Sequence, residues 1–371
     1  MIVQFGTSRF LQAHVDLFAW EAALAGQKVP EIAIVQVSGD VGRAARLQAF
    51  NDRTGFPVLI RGLEQGTPVE RHLQVRSVTQ GLSASRDRDA VRGLFVDQAT
   101  YVVCNSGDVG YAIPDEDRLP GGARAPHSFC AILLELLHLR WAAGRPGLTL
   151  LPCELVAANG RTLHAALRGL AIDLGLEPAF VTWVDAECLW INTLVDRIVS
   201  APLEPAGAVA EPYALWAIEN QPRLRMPFTH PSVMVVDDLE RYERLKLYIL
   251  NLGHSWLAED WLRAGADPDV TVRSMLEDVQ SAARLKHLYA DEVVPGFAAR
   301  GWERQARDYV AMTLDRFANP YLEHRLSDIY VHHSAKVAKR IGAFVHWVDA
   351  GDHRVAMPAL RTLAQRYGEK R

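Results

Sequence analysis

The sequence predicts an α/β N-terminal half built on a mostly parallel sheet, followed by an all-α C-terminal half. Three observations carry this. Short apolar, β-branched runs alternate with helix-periodic segments over residues 1–237, the pattern of parallel strands covered by helices on both faces. From Asp238 onward the long segments have helical period and few β-branched runs. The 371-residue length also exceeds the roughly 250–300 residues that one hydrophobic core organises. Two domains are expected, 1–237 and 238–371.

The elements follow in order. Ile2–Phe5 is a short apolar strand ending at Gly6. Phe10, Leu11, His14, Val15, Phe18, Ala19 and Ala22 then fall on one helical face. Ile32–Val37 is a second strand, and Phe56–Arg61 with His72–Val78 alternate at period two as an additional pair. Tyr101–Cys104 and Leu148–Leu151 are further strands, separated by the helix-patterned Ser128–Ala142. Ala201–Pro231, rich in Pro and Ala, is expected to connect the halves and to carry one short helix, Tyr213–Asn220. Helical segments are expected at Asp238–Trp261, Thr271–Tyr289, Trp302–Asn319, Arg325–Val345 and Pro358–Tyr367.

Composition narrows the function classes. With 40 Lys+Arg against 44 Asp+Glu the formal charge is −4, so neither a nucleic-acid nor a membrane partner is expected, since both favour a strongly basic face. No apolar run approaches the roughly 20 residues that span a bilayer. The N-terminus Met-Ile-Val-Gln-Phe-Gly lacks the basic region of a signal peptide. Cys104, Cys130, Cys153 and Cys188 show no CxxC pairing, which excludes a disulfide scaffold and the usual zinc spacings. A reduced, cytoplasmic location is expected.

A strand opening into a helix through Gly6, Thr7, Ser8, Arg9 and Phe10 has the Rossmann-like layout of a dinucleotide-binding turn. The Gly permits the tight turn, and the helix start offers free N–H groups to a pyrophosphate. Ser8 stands where the second Gly of the fingerprint belongs, so an ordinary βα turn is the alternative. The second strand is followed by Asp40 and Arg43. Asp40 suits the ribose hydroxyl of NAD and Arg43 the 2′-phosphate of NADP, and the choice stays open.

The most informative segment runs from Tyr242 to Ser255. At about 100° per residue, Lys246 and His254 lie about 80° apart on one broad face, with Asn251 at its margin, about 140° from Lys246. An amphipathic helix with a solvated Lys and a helix-ending Asn-Leu-Gly is the plain alternative. The trio nevertheless suits hydride transfer. Lys246 serves as the acid/base for the hydroxyl proton, Asn251 as a donor to the developing alkoxide, and His254 orients the substrate. Glu243 is placed to relay the proton to water.

The Lys246, Asn251 and His254 spacing resembles the signature of the polyol-specific long-chain dehydrogenases, the mannitol dehydrogenase family. Four further segments match in order: Phe5–His14, Asn105–Tyr111, Asn192–Ile198 and Arg316–Pro320. The resemblance implies a nicotinamide cofactor, NAD with NADP possible, held by Gly6, Thr7, Ser8, Arg9, Phe10, Asp40, Asn105 and Asp108. It implies Asn159 as a second oxyanion donor, His324 and Lys336 on the substrate side, and chemistry without a metal. Pro152–Gly160, Val235–Asp238 and Asn319–His324 are similar to the hexuronate-reducing branch. That implies interconversion of a hexuronate (tagaturonate) and its aldonate (altronate). Fructuronate/mannonate or a plain polyol such as mannitol is the alternative within the class, and a catalytically silent nucleotide or sugar-acid sensor the alternative outside it. The chain is shorter than typical hexuronate reductases and ends before their final helices, which leaves specificity open; so does the choice between monomer and dimer. His324, His332 and His333 with Asp328 suggest a metal site, since i, i+4 spacing can bring Asp328 and His332 together, but surface helix residues explain them as well. Cys153 lacks an identifiable base for nucleophilic work, and Asp196 with Arg197 reads as a structural ion pair.

Overall fold

A computed structural model describes residues 1–39, 42, 44–107, 110–119 and 125–368 of the chain. Asp40, Arg43 and Asp108 lie outside the described residues. The chain forms two compact units. The first is Met1–Ile60, Arg71–Ala210 and Ala214–Leu239; the second is Arg61–Glu70, Glu211–Tyr213 and Glu240–Arg371.

The first unit is built on six strands: β1 (Ile2–Phe5), β2 (Ile32–Gln36), then, beyond the hairpin β3 (Phe56–Glu64) and β4 (Thr67–Val75), β5 (Val78–Ser83), β6 (Tyr101–Cys104), β7 (Thr149–Pro152) and β8 (Leu189–Trp190). Their order is β5-β2-β1-β6-β7-β8 with every pairing parallel. Counted within this sheet alone, that is the 3-2-1-4-5-6 order of a doubly wound dinucleotide-binding sheet. Every residue of β1 and β2 is buried, because helices cover both faces. Val3, Phe5 and Val102 meet the helices Arg88–Gln98 and Phe129–Ala142 on one face, while Ile2, Ile34 and Val103 meet Phe18 and Trp216 on the other.

Three expectations need correction here. The helix after β1 is two pieces, Arg9–Gln12 and Val15–Leu24, broken at His14, whose ring nitrogen Nε2 bonds the Leu215 carbonyl at 3.0 Å. Tyr213–Asn220 is not a helix. Leu215–Glu219 is strand β12, which together with β9 (Thr193–Asp196) and β13 (Val233–Val236) forms a sheet ordered β13-β12-β9. Leu215, Trp216, Ala217 and Ile218 are all buried, and a short run buried on every side suits a strand better than an amphipathic helix. Nor is Ala201–Pro231 a mere connection, since it also contributes the end of β10 (Val199–Pro202) and all of β11 (Ala208–Ala210). The hairpin turns at Gln65 and Gly66, both with positive φ, as a tight two-residue turn requires.

The second unit is helical. Its longest rod joins Leu239–Leu245, a π-helical stretch Lys246–Asn251, and Leu252–Arg263. Further π-helical stretches occur at Tyr289–Val293 and Ala338–Gly342. Leu245, Ile249, Leu252, Leu257, Phe297, Phe344 and Val348 belong to its core. Two expected helices are interrupted. Asp278 caps a fresh helix by accepting from Ser281 N at 2.8 Å, and His332 adopts a left-handed conformation between Leu326–Tyr330 and His333–Val337. Among the described residues no helix is long and apolar enough to cross a membrane.

Candidate active site

In the first unit the candidate site sits where β1 and β6 end and the strand order reverses, the usual ligand position in such sheets. A cavity of about 450 Å³ opens there, lined by Gly6, Thr7, Ser8, Ser38, Arg46 and Asn105 among others. Gly6 has φ +106°, and a Cβ on it would lie 2.7 Å from the Asn105 carbonyl oxygen. Only glycine lets the two strand ends approach this closely. Ser8, at the place of the second Gly, caps the following turn: its Oγ accepts from Leu11 N at 3.2 Å. The hydroxyl of Thr7, a residue of the cavity wall, is buried without a protein partner. The bare Gly6 backbone, the capped turn and this orphaned hydroxyl fit a dinucleotide phosphate.

Two expected cofactor residues turn elsewhere. Arg9 donates to the carbonyls of Leu203 at 2.7 Å and Gly207 at 2.9 Å and pairs with Glu204 at 2.6 Å; it holds the 203–207 loop. Phe10 stacks on His14 with ring centroids 4.7 Å apart. Neither lines the cavity. Arg46 does, donating to the Thr7 carbonyl at 2.9 Å. Its only sequence signal is a cation in the first turns after β2.

Glu154 was legible only as part of a motif, yet it organises this pocket. Its buried carboxylate accepts from Ser106 N at 2.9 Å, Ser106 Oγ at 3.1 Å, Tyr111 OH at 2.9 Å and Cys104 Sγ at 3.3 Å. Asn105 donates to the Cys153 carbonyl at 2.9 Å. Burial, and then Glu154, drive the Cys104 and Cys153 thiols far up, so neither supplies a thiolate. Asn159 does not fit its expected role as an oxyanion donor. It is 1% exposed, and its Nδ2 donates to the carbonyls of Pro152, Glu154 and Thr193 at 3.0, 3.1 and 3.0 Å. Its Oδ1 accepts from Gly160 N and Thr193 N. The side chain is spent clasping β7 to β9.

In the second unit, Lys246 and Asn251 are half-buried, His254 is 7% exposed and Glu243 is exposed. The Asn-Leu-Gly sequence does not end the helix, which runs on to Arg263. Leu252 N–H reaches back to the Leu247 carbonyl, an i→i+5 bond that inserts one extra residue into the turn. One inserted residue removes about 100° of rotation, so Asn251 comes to about 40° and His254 to about −20° from Lys246. The three therefore share a narrow face, tighter than α-helical spacing predicts. Tyr289 OH fixes the bulge by donating to the Ile249 carbonyl at 2.9 Å. Arg340 Nη1 donates to the Asn251 carbonyl at 3.3 Å and to Ser255 Oγ at 3.1 Å.

Around His254 stand Phe317, with ring centroids 4.5 Å away, and His324 at 4.8 Å, edge-on. Burial lowers the His324 pKa, against the opposing pull of Asp328. Lys336 donates to the Ile329 carbonyl at 2.8 Å. Burial, and then Arg340, lower its pKa. His333, the other histidine of the supposed metal pattern, is buried 3.4 Å from Glu259, while His332 is exposed. Among the described residues no three His, Cys, Asp or Glu side chains gather around a common point.

The description "Mannitol dehydrogenase Rossmann domain" matches residues 1–227, and "Mannitol dehydrogenase C-terminal domain" matches residues 238–357. The chain belongs to the mannitol dehydrogenase family. Curated relatives include an altronate oxidoreductase of Bacillus subtilis (strain 168), 27% identical over 91% of this chain and 73% of that protein. Another, from Klebsiella pneumoniae subsp. pneumoniae, is 30% identical over 92% and 73% respectively. Two solved structures share the fold. A D-sorbitol dehydrogenase in substrate-free form superposes with TM-score 0.78 at 22% identity, covering 95% of this chain and 77% of that one. A Pseudomonas fluorescens mannitol 2-dehydrogenase, in ternary complex with NAD and D-mannitol, gives 0.70 at 18% identity, covering 99% and 78%. As a member of this family the chain is a dehydrogenase acting on CH–OH groups.

Proposed function

We propose that this dehydrogenase interconverts tagaturonate and altronate, using NAD or NADP, with Lys246 as the proton carrier. The single observation that carries the reading is the π-helical turn, which sets Lys246, Asn251 and His254 on one face of the Lys246–Arg263 rod. The altronate oxidoreductase relatives, at 27–30% identity, support the sugar-acid pair. In the first unit the Gly6–Ser8 turn, the Thr7 hydroxyl and Arg46 would hold the dinucleotide phosphates and ribose. A nicotinamide so bound supplies hydride to the carbonyl carbon and takes it back from the alcohol.

The chain's own residues handle the rest. Lys246 Nζ delivers a proton to the substrate oxygen during reduction and removes it during oxidation. Asn251 donates a hydrogen bond to that oxygen as its charge grows, without needing a metal. His254, held between Phe317 and His324, fixes a neighbouring hydroxyl. Glu243, exposed one turn before Lys246, passes the proton to water. The deciding test follows NADH and NADPH absorbance with tagaturonate, fructuronate, fructose and their reduced partners. Turnover fastest with tagaturonate and altronate is expected. Faster turnover of fructose or mannitol would replace the substrate assignment, and nucleotide binding without turnover of any of them would sink the enzymatic reading.

A further inference from the structure

Arginines buried in this protein are matched by acceptors. Arg316, 4% exposed at its side chain, pairs with Glu211 through two bonds of 3.0 and 2.8 Å. Arg140 donates to three main-chain carbonyls, each at 2.8 Å. Arg340 departs from this pattern. It is half-buried in the second unit, and only its Nη1 is engaged, by the neutral oxygens of Asn251 and Ser255. Among the described residues no carboxylate lies within 4.0 Å of it, and the remaining edge of its fork has no protein acceptor. The buried carboxylate of this region, Glu259, is already taken by Arg366, Tyr367 and His333.

Its neighbours add to the imbalance. Lys336 and His324 each feel Arg340 as a repelling charge, and Asp328 is the opposing charge at His324. A partly desolvated cation without a counter-ion favours an anionic partner, and a planar fork with one edge free is the shape that grips a carboxylate in two places. Arg340 also touches the main chain of Asn251, one of the three residues on the proposed reacting face. An anion held there would lie beside that face.

We propose that Arg340, assisted by Lys336, receives the carboxylate of the substrate, so that this site selects a sugar acid over the neutral polyol of the same length. The inference rests on the proposed function for which face of the helix meets substrate, and it names the group that sets specificity. Arg340 acts on binding; the proton steps stay with Lys246.

Calorimetric titration separates the two claims. The whole chain, saturated with NADH so that an alcohol cannot react, is titrated with altronate and with altritol, in which CH₂OH replaces the carboxylate. The parent is expected to bind altronate about 30-fold or more tightly than altritol, as a charge-assisted pair warrants. Arg340→Gln should bring that ratio close to one, and Arg340→Lys should keep an intermediate ratio. Loss of the Asn251 contact alone would weaken both ligands together and leave the ratio intact. A parent without preference, a ratio unchanged in Arg340→Gln, or a variant whose only defect is weaker NADH binding would each overturn the proposal. If the ratio behaves as expected while the parent turns over no altronate, the reaction assigned above fails and the anion site stands.

Discussion

Replacing Gly253 by alanine should destabilise this protein, although helix propensity alone argues the reverse. Glycine inside a helix costs about 1 kcal/mol relative to alanine, and Gly253 lies inside Leu252–Arg263. A Cβ on Gly253 would stand 2.0 Å from the Tyr289 hydroxyl and 3.0 Å from Phe317 Cε2. Tyr289 is 1% exposed, so its ring has nowhere to retreat. Overpacking costs about 1–3 kcal/mol. Parting the Tyr289 hydroxyl from the Ile249 carbonyl leaves two buried polar groups unpaired, at about 1–3 kcal/mol more. After subtracting the propensity gain, Gly253→Ala should lose about 1–5 kcal/mol. The Ile249 contact also fixes the wide turn, so turnover should fall with stability. Guanidinium unfolding at unchanged m-value reads the first quantity, and NADH-linked turnover reads the second. In a Tyr289→Phe background the clash with oxygen is gone, and Gly253→Ala should cost at least about 1 kcal/mol less. An alanine variant as stable as the parent would refute the account of why this position is glycine.

Lys246→Ala should lower turnover by about 10²–10⁴-fold, the usual worth of a positioned acid/base, while nucleotide affinity measured by fluorescence titration stays within about 2-fold. Comparable loss of both would assign Lys246 to binding. Burial raises the Asp16 carboxyl to about 8, against a weaker opposing hydrogen bond from Gln4. Its folded pKa lies above its unfolded value, so its stabilising contribution is complete below about pH 4 and is lost as pH rises towards 8. Asp16→Asn should therefore gain on the parent by about 4–6 kcal/mol between those limits, and a difference flat with pH in denaturation curves would contradict this. Asn159→Ala should cost about 2–4 kcal/mol of stability through its lost main-chain bonds. Unchanged stability with a large fall in turnover would restore it as an oxyanion donor.

What the sequence disclosed, and what it hid, follows from which interactions are local. The runs Ile2–Phe5, Ile32–Gln36 and Tyr101–Cys104 are buried on both faces, so continuous β-branched stretches marked them well. Leu215–Glu219 misled because its strand character comes from partners at Asp196 and Val233, outside any local window. The face holding Lys246 was visible as spacing, but the extra residue in its turn was not. That feature depends on Tyr289 reaching Ile249, forty positions away in the chain. Asn159 read as a reactive amide because a sequence cannot show five main-chain groups converging on one side chain. Arg9 read as a cofactor residue for the same reason: its acceptors lie at Leu203–Gly207. Arg340 drew no attention at all, since nothing near it in sequence marks a cation without a counter-charge.

Three wide turns, Lys246–Asn251, Tyr289–Val293 and Ala338–Gly342, lie in the helical unit, and the first rests against both others. Each amounts to one residue more than a regular helix holds. The phase of everything downstream in each rod thus depends on the turn taking up that extra residue. Deleting a single position between Lys246 and Asn251 would let the rod wind regularly and still leave His254 on the face of the amine, because the deleted residue is the one the wide turn absorbs. Tightening that turn at unchanged length would instead swing His254 about a quarter-turn away from Lys246.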